Sequence, residues 1–181
     1  MAVVLVVIAI FAYNAVVSAK NKVEEAKSSI EVYLQNRYDL IPNLVETVKK
    51  YMEHERWVLE EVTKLRTDLV KMSGQLSKER VEKENMLSQA LKSIFAVAEN
   101  YPDLKANQNF IQLQNQWSEI EDRIAAARRT YNAALKRLRD MQQMIPYSFF
   151  AKMIKIPEYE YFEATEEAKK PLDAKELFEG E

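Results

Sequence analysis

The sequence predicts an all-α protein: an N-terminal transmembrane helix that continues into an antiparallel four-helix bundle of long, coiled-coil-like helices. Three observations carry that prediction. Apolar residues recur at alternating steps of three and four along four long segments. No segment of similar length alternates with period two, as a half-buried strand would. The 181 residues include only two glycines and five prolines, too few breakers for an architecture of many short strands and turns.

The first element is defined by charge. Residues 1–19 carry none, and Lys20 is the first charged side chain. A helix of that length measures about 28 Å, against roughly 30 Å for a hydrocarbon core, so a short single membrane anchor is expected. A signal peptide is the lesser alternative, with small residues at Val17, Ser18 and Ala19 but no basic n-region. A buried core helix is another. Lys20, Lys22 and Lys27 follow the apolar stretch, and the positive-inside rule then sets the N-terminus outside the cytoplasmic membrane with the bulk of the chain in the cytoplasm. Val16, Ala19, Val23, Ala26, Ile30 and Tyr33 form one helical stripe across the anchor boundary, which makes anchor and first bundle helix continuous.

Asp39 and Pro42 resemble a helix start, with Asp39 as N-cap and Pro42 in the first turn, where its missing N–H is harmless. A break between the first and second helices is therefore expected there. The competing reading is one kinked helix, because Arg37, Ile41, Leu44 and Val48 carry the stripe through without a slip. The second helix is expected from Pro42 to Met72, with only Glu55 interrupting its stripe, and Ser73 with Gly74 to stop it. A third helix spans about residues 78–100, its first two turns (KERVEKEN) almost wholly polar, and Tyr101 with Pro102 ends it. The fourth has the cleanest register, Phe110 through Met141, with Asn107 or Asn109 as N-cap and Ile145 with Pro146 as its stop.

These lengths conflict if the first bundle helix stops at residue 38. Helices two and four would overhang it and drive Lys64 or Arg137 toward the bilayer, at high cost. A tilted anchor, the kinked-helix reading, or packing against neighbouring subunits would each resolve the conflict, and the last makes a homo-oligomer an expectation.

Three zones follow: an anchor at 1–19, a helical bundle at 20–145, and at 146–181 an aromatic strap leading into an acidic tail. The strap either covers the end of the bundle core or touches the membrane.

Chemistry is mostly excluded. The chain has no cysteine, so disulfides, thiolate nucleophiles and Cys-ligated zinc are out. Two glycines cannot build a phosphate-cradling loop. The single histidine, His54, has no Glu three residues before it, so the Glu-x-x-His motif of di-iron bundles is missing. Basic and acidic residues number 26 and 28, which gives no field to attract nucleic acid. No enzymatic activity, cofactor, metal or nucleic-acid partner is expected.

Four runs carry a resemblance: NRYDLIPNLVETV at 36–48, AENYPDLKAN at 98–107, EDRIAAARRTYN at 121–132 and YFE at 161–163. Together with the anchor they closely resemble the LemA family over nearly the whole chain. The resemblance implies a single-pass membrane protein with a helical-bundle domain and no established activity or cofactor. The candidate residues are Arg37, Asp39, Pro42, Asn43, Tyr101, Pro102, Asn107, Arg123, Tyr131 and Asn132. Each serves either to cap helices and pair buried polar groups, fixing register, or to form a partner site. The expected function is a membrane-anchored scaffold that contacts membrane lipid, self-associates and recruits unidentified protein partners; a bundle that senses a small ligand is the alternative.

Overall fold

Pro42 does not interrupt the first helix. In the computed structural model, which describes residues 1–52 and 54–162, α1 runs unbroken over Ala2–Val48 with Pro42 inside it. At 47 residues it is about 70 Å long. The expected break is corrected accordingly, and so is the cap: Asp39 lies on the exposed face mid-helix and accepts from Gln35 Nε2 at 2.7 Å. A proline inside a helix removes the bond to the carbonyl four residues earlier. That carbonyl belongs to Tyr38, and Arg66 Nε donates to it at 2.7 Å. With Pro42 on the exposed side and its lost bond replaced, the in-phase stripe outweighs the breaker.

The chain turns instead after Val48. Helix α2 covers Arg56–Lys71, so the single polar interruption at Glu55 marks the true boundary between helices. Gly74 adopts a φ of 80° in the next turn, a left-handed conformation that favours glycine. Helix α3 (Lys78–Ala98) starts with Ser77, whose hydroxyl accepts from the Arg80 amide. The short α4 (Pro102–Lys105) has proline at its N-terminal end. Asn107 then caps α5 (Gln108–Gln143) by accepting from the amides of Asn109 and Phe110. Past a cis Ile145–Pro146 bond, α6 covers Tyr147–Met153.

Contacts fix an up-down-up-down order for α1, α2, α3 and α5. Along α1, Glu31 meets Arg80 and Arg37 meets Glu84 and Ser88, so α3 runs parallel to α1. The pairings of Arg37 with Glu121 and of Tyr51 with Asn107 set α5 antiparallel to α1, and those of Asp68 with Lys83 and of Glu55 with Tyr101 set α2 antiparallel to α3. Phe95, Phe110 and Trp117 stack at the far end, with ring centroids 4.7–5.6 Å apart.

The bundle is four-stranded only over its distal half. In the register of these contacts α2 ends and α3 begins near the level of Glu31, and yet Val16, Val23 and Ile30 on the near side of it are fully buried. Helix α5 covers one side of them and the segment after α6 covers the other: Tyr159 donates to Glu24 on α1, and Tyr159 and Phe162 are themselves buried. Residues 154–162 thus stand in for the two helices that stop short. The continuous α1 also removes the length conflict without recourse to a second subunit. The tail from 163 onward, including Glu163 of the last motif, lies outside the described residues.

Candidate functional site

A charged network sits in the middle of the bundle, where apolar packing is the rule. On α1 the stripe Ile30, Leu34, Arg37, Ile41, Leu44 carries an arginine into the core, and on α3 Arg80 and Glu84 precede Leu87 and Leu91 in the same register. Arg37 and Glu84 are both wholly inaccessible to solvent and form an ion pair through Nη2 and Oε2. Arg37 Nη1 donates to Ser88 Oγ at 2.6 Å and to Glu121 Oε1 at 2.8 Å. Ser88 Oγ in turn donates to Glu121 Oε2 at 3.1 Å. Tyr38 donates its hydroxyl to the second oxygen of Glu84. Arg80 forms a two-pronged pair with Glu31, at 2.6 and 2.7 Å, and also donates to the Gln75 carbonyl at 3.1 Å.

Arg128 of α5 completes the set. Its Nη1 donates to Asn85 Oδ1 at 3.0 Å, and its guanidinium carbon lies 4.9 Å from the Phe162 ring centroid. Three arginines thus face three glutamates, Glu31, Glu84 and Glu121, and the cluster is neutral overall. Burial alone would lower the Arg37 pKa, but Glu84 and Glu121 outweigh it and hold the group above its ordinary value. Burial and the Glu84 charge together push the Tyr38 phenol well up. Burial, reinforced by the like charge of Arg37, pulls Arg128 below its ordinary value.

Such an arrangement does geometric work. Members of the network bond to partners on different helices and so tie α1, α3 and α5 together. Among the described residues no group of three His, Asp or Glu side chains is placed to hold a metal, and His54 is exposed.

The ten sequence-derived residues do not converge. Arg37 lies at the centre of the network. Asp39, Pro42 and Asn43 share the outer face of α1. At the distal turn, Pro102 opens α4, Tyr101 donates to Glu55 Oε2 at 2.7 Å and Asn107 Nδ2 approaches Tyr51 Oη at 3.4 Å. Arg123 is exposed, paired with Glu119 at 2.6 Å and lying 6.0 Å from the Tyr33 ring. Tyr131 and Asn132 hold the strap. Tyr131 Oη donates to the Glu160 carbonyl at 3.0 Å, while Asn132 pairs with both backbone groups of Phe162, at 2.9 and 3.1 Å. Arg139 adds a bond to the Tyr159 carbonyl at 2.8 Å and stacks 4.4 Å from the Tyr161 ring.

Glu31, Arg80, Glu84 and Ser88 were not among the candidates. The polar opening of α3 reads as a solvated surface until Arg80 and Glu84 are placed in phase with Leu87, Leu91 and Ile94. That phase was the available signal.

Comparison with known proteins agrees with the motifs. The magnetosome protein MamQ 2 of Paramagnetospirillum magneticum is 24% identical over 191 aligned positions, covering 92% of this chain and 70% of that protein. Protein LemA of Metamycoplasma hominis is 23% identical over 164 positions, covering 91% and 74%. The family model for LemA matches residues 26–175, and the chain belongs to the LemA family.

Proposed function

We propose that the protein is a membrane-anchored helical scaffold, held in the cytoplasmic membrane by the apolar end of α1, with its N-terminus outside and its bundle in the cytoplasm. The observation that carries this reading is the exposure of that end. Val3, Val4, Leu5, Val6, Val7, Ile8, Ile10 and Phe11 all project from a helix that the bundle buries only from Ala12 onward. A row of this kind is costly in water and favourable in lipid. The helix is apolar and long enough to cross a membrane. Lys20, Lys22 and Lys27 follow it and favour the cytoplasmic side. The relatives named as magnetosome proteins support a membrane setting.

Two features favour a scaffold over an enzyme. A network of charges, neutral overall, crosses the apolar core and ties its helices in register, and the charged outer faces of α2, α3 and α5 offer surface to partners. Self-association through the membrane end or the bundle belongs to this reading. Cysteine labelling at the connection carrying Ser73 and Gly74, in sealed cells and then in permeabilised ones, tests sidedness: reaction only after permeabilisation is expected, and reaction in sealed cells reverses the orientation. Native mass spectrometry in detergent tests self-association, which a monomer at every concentration would overturn.

A further inference from the structure

Residues 1–19 carry no charged side chain, and neither do the eleven residues 141–151 between Asp140 and Lys152. Far apart in sequence, they meet in space. The Tyr13 and Phe150 rings contact edge to face with centroids 6.5 Å apart, and Ile145 and Pro146 line one groove with Leu5, Ile8 and Ala9. One face of the α5–α6 corner is used in these contacts, as the burial of Ala151 shows. The corner nonetheless leaves large apolar side chains bare: Ile145 is 88% exposed, Phe149 68% and Met153 70%.

The charges beyond these stretches fall at one level. Arg37 pairs with Glu121, and Asp140 lies nineteen residues after Glu121 as Ser18 lies nineteen before Arg37, so the antiparallel register brings Asp140 beside Ser18. Lys20 follows on α1, and Lys152 comes two residues after the Phe150 that touches Tyr13. Helices α1 and α5 therefore acquire their first charge at a common height and α6 acquires its own nearer the level of Tyr13, with three uncharged ends beneath. From Ser18 to Ala9 is about 14 Å along α1, roughly one leaflet of a hydrocarbon core about 30 Å thick. The corner also presents little unpaired backbone to lipid. Pro146 has no N–H, Ser148 donates to Met144 at 2.8 Å, and Phe149 donates to Pro146 at 3.3 Å.

We propose that the α5–α6 corner enters the bilayer beside α1, so that the leaflet nearest the bundle holds a three-element wedge and the far leaflet holds α1 alone. This rests on the reading of α1 as the anchor. Lipid is the occupant the observations favour, because the bare face continues the exposed apolar surface of α1 and is bordered by Lys152 and Lys155, suited to anionic headgroups.

The absence of native cysteine makes the test direct. Single cysteines replacing Leu5, Phe149 and Trp57, all exposed side chains, are labelled with an environment-sensitive fluorophore. The full chain is then reconstituted in phosphatidylethanolamine and phosphatidylglycerol vesicles, and quenching is compared between spin-labelled acyl chains and aqueous iodide. Labels at Leu5→Cys and Phe149→Cys are expected to lose fluorescence to the acyl-chain quencher, and that at Trp57→Cys to iodide. A lipid-quenched Leu5→Cys with an iodide-quenched Phe149→Cys overturns the wedge and leaves the anchor standing. Phe149→Cys shielded from both quenchers also overturns it, since a second copy or the protein itself then covers the face. An iodide-quenched Leu5→Cys overturns the anchor, and the wedge with it.

Discussion

Arg66 on α2 donates to the backbone carbonyl of Tyr38 on α1, the acceptor that Pro42 leaves without its helical N–H. A side chain from one helix thereby repairs the ladder of another. Replacing Arg66 with Ala is expected to destabilise the bundle by about 1–3 kcal/mol, the usual penalty for stranding a buried polar group. In a Pro42→Ala background the Tyr38 carbonyl regains an intrahelical donor, and the same change is expected to cost about 1 kcal/mol less. Chemical denaturation of the four proteins measures the coupling; strict additivity would refute the repair.

The Arg37–Glu84 pair is fully withdrawn from solvent. Removing either partner strands a charge in the core, so Arg37→Ala and Glu84→Ala are each expected to cost about 3–5 kcal/mol. Asp39→Ala touches only an exposed contact with Gln35 and is expected to stay within about 0.5 kcal/mol of the parent. Thermal unfolding followed by circular dichroism distinguishes them.

The alkaline limb of stability should report Tyr38 and Tyr131. Burial comes first among the causes that hold both phenols above their ordinary value of 10.0, followed by the charge of Glu84 for Tyr38 and of Glu24 for Tyr131. A group whose pKa is higher in the folded chain loses its proton first in the unfolded one. Its contribution is therefore complete below about pH 10 and lost as pH rises beyond it. Denaturation midpoints are expected to be level from about pH 8 to 10 and to fall above that. Tyr38→Phe should be less stable at neutral pH, having left Glu84 a donor short, and should show a shallower alkaline decline.

Asn132 grips Phe162 by both its backbone N–H and its carbonyl. Asn132→Ala is expected to cost about 1–3 kcal/mol and, more specifically, to let the strap lift from the groove. Limited proteolysis should then cut at residues 154–162 sooner than in the parent, with α1 through α5 persisting. Equal cleavage rates would mean that Tyr131 and Arg139 hold the strap unaided.

Much of the fold was legible because burial imposes period. The stripe from Val16 to Val48 identified α1 on both sides of Pro42, and Asn107, Gly74 and Pro102 fell where caps and stops belong. The misplaced boundary came from weighing Pro42 and Asp39 as local signals, when the compensation for Pro42 lies on Arg66, 24 residues away. No local pattern announces such a partner. The network was half legible: Arg37 and the run containing Glu121 and Arg128 stood in the motifs. Glu84 and Arg80 went unread because charged residues in a stripe look like its interruption, although their phase with Leu87 shows them inside. The strap's grip on Asn132 depends on a chain reversal at Pro146, and so on contacts about 30 residues apart, which periodicity does not encode.

The unbroken course of α1 has one more consequence. From Ala12 to Arg37 the helix rises about 38 Å without a hinge, and each residue step turns it by about 100°. The azimuth of the apolar end is thus keyed to the bundle: a rotation that turned a different face of it outward would also swing Arg37 away from Glu84. Which of its side chains look outward is decided at a buried ion pair, many turns further along the same helix.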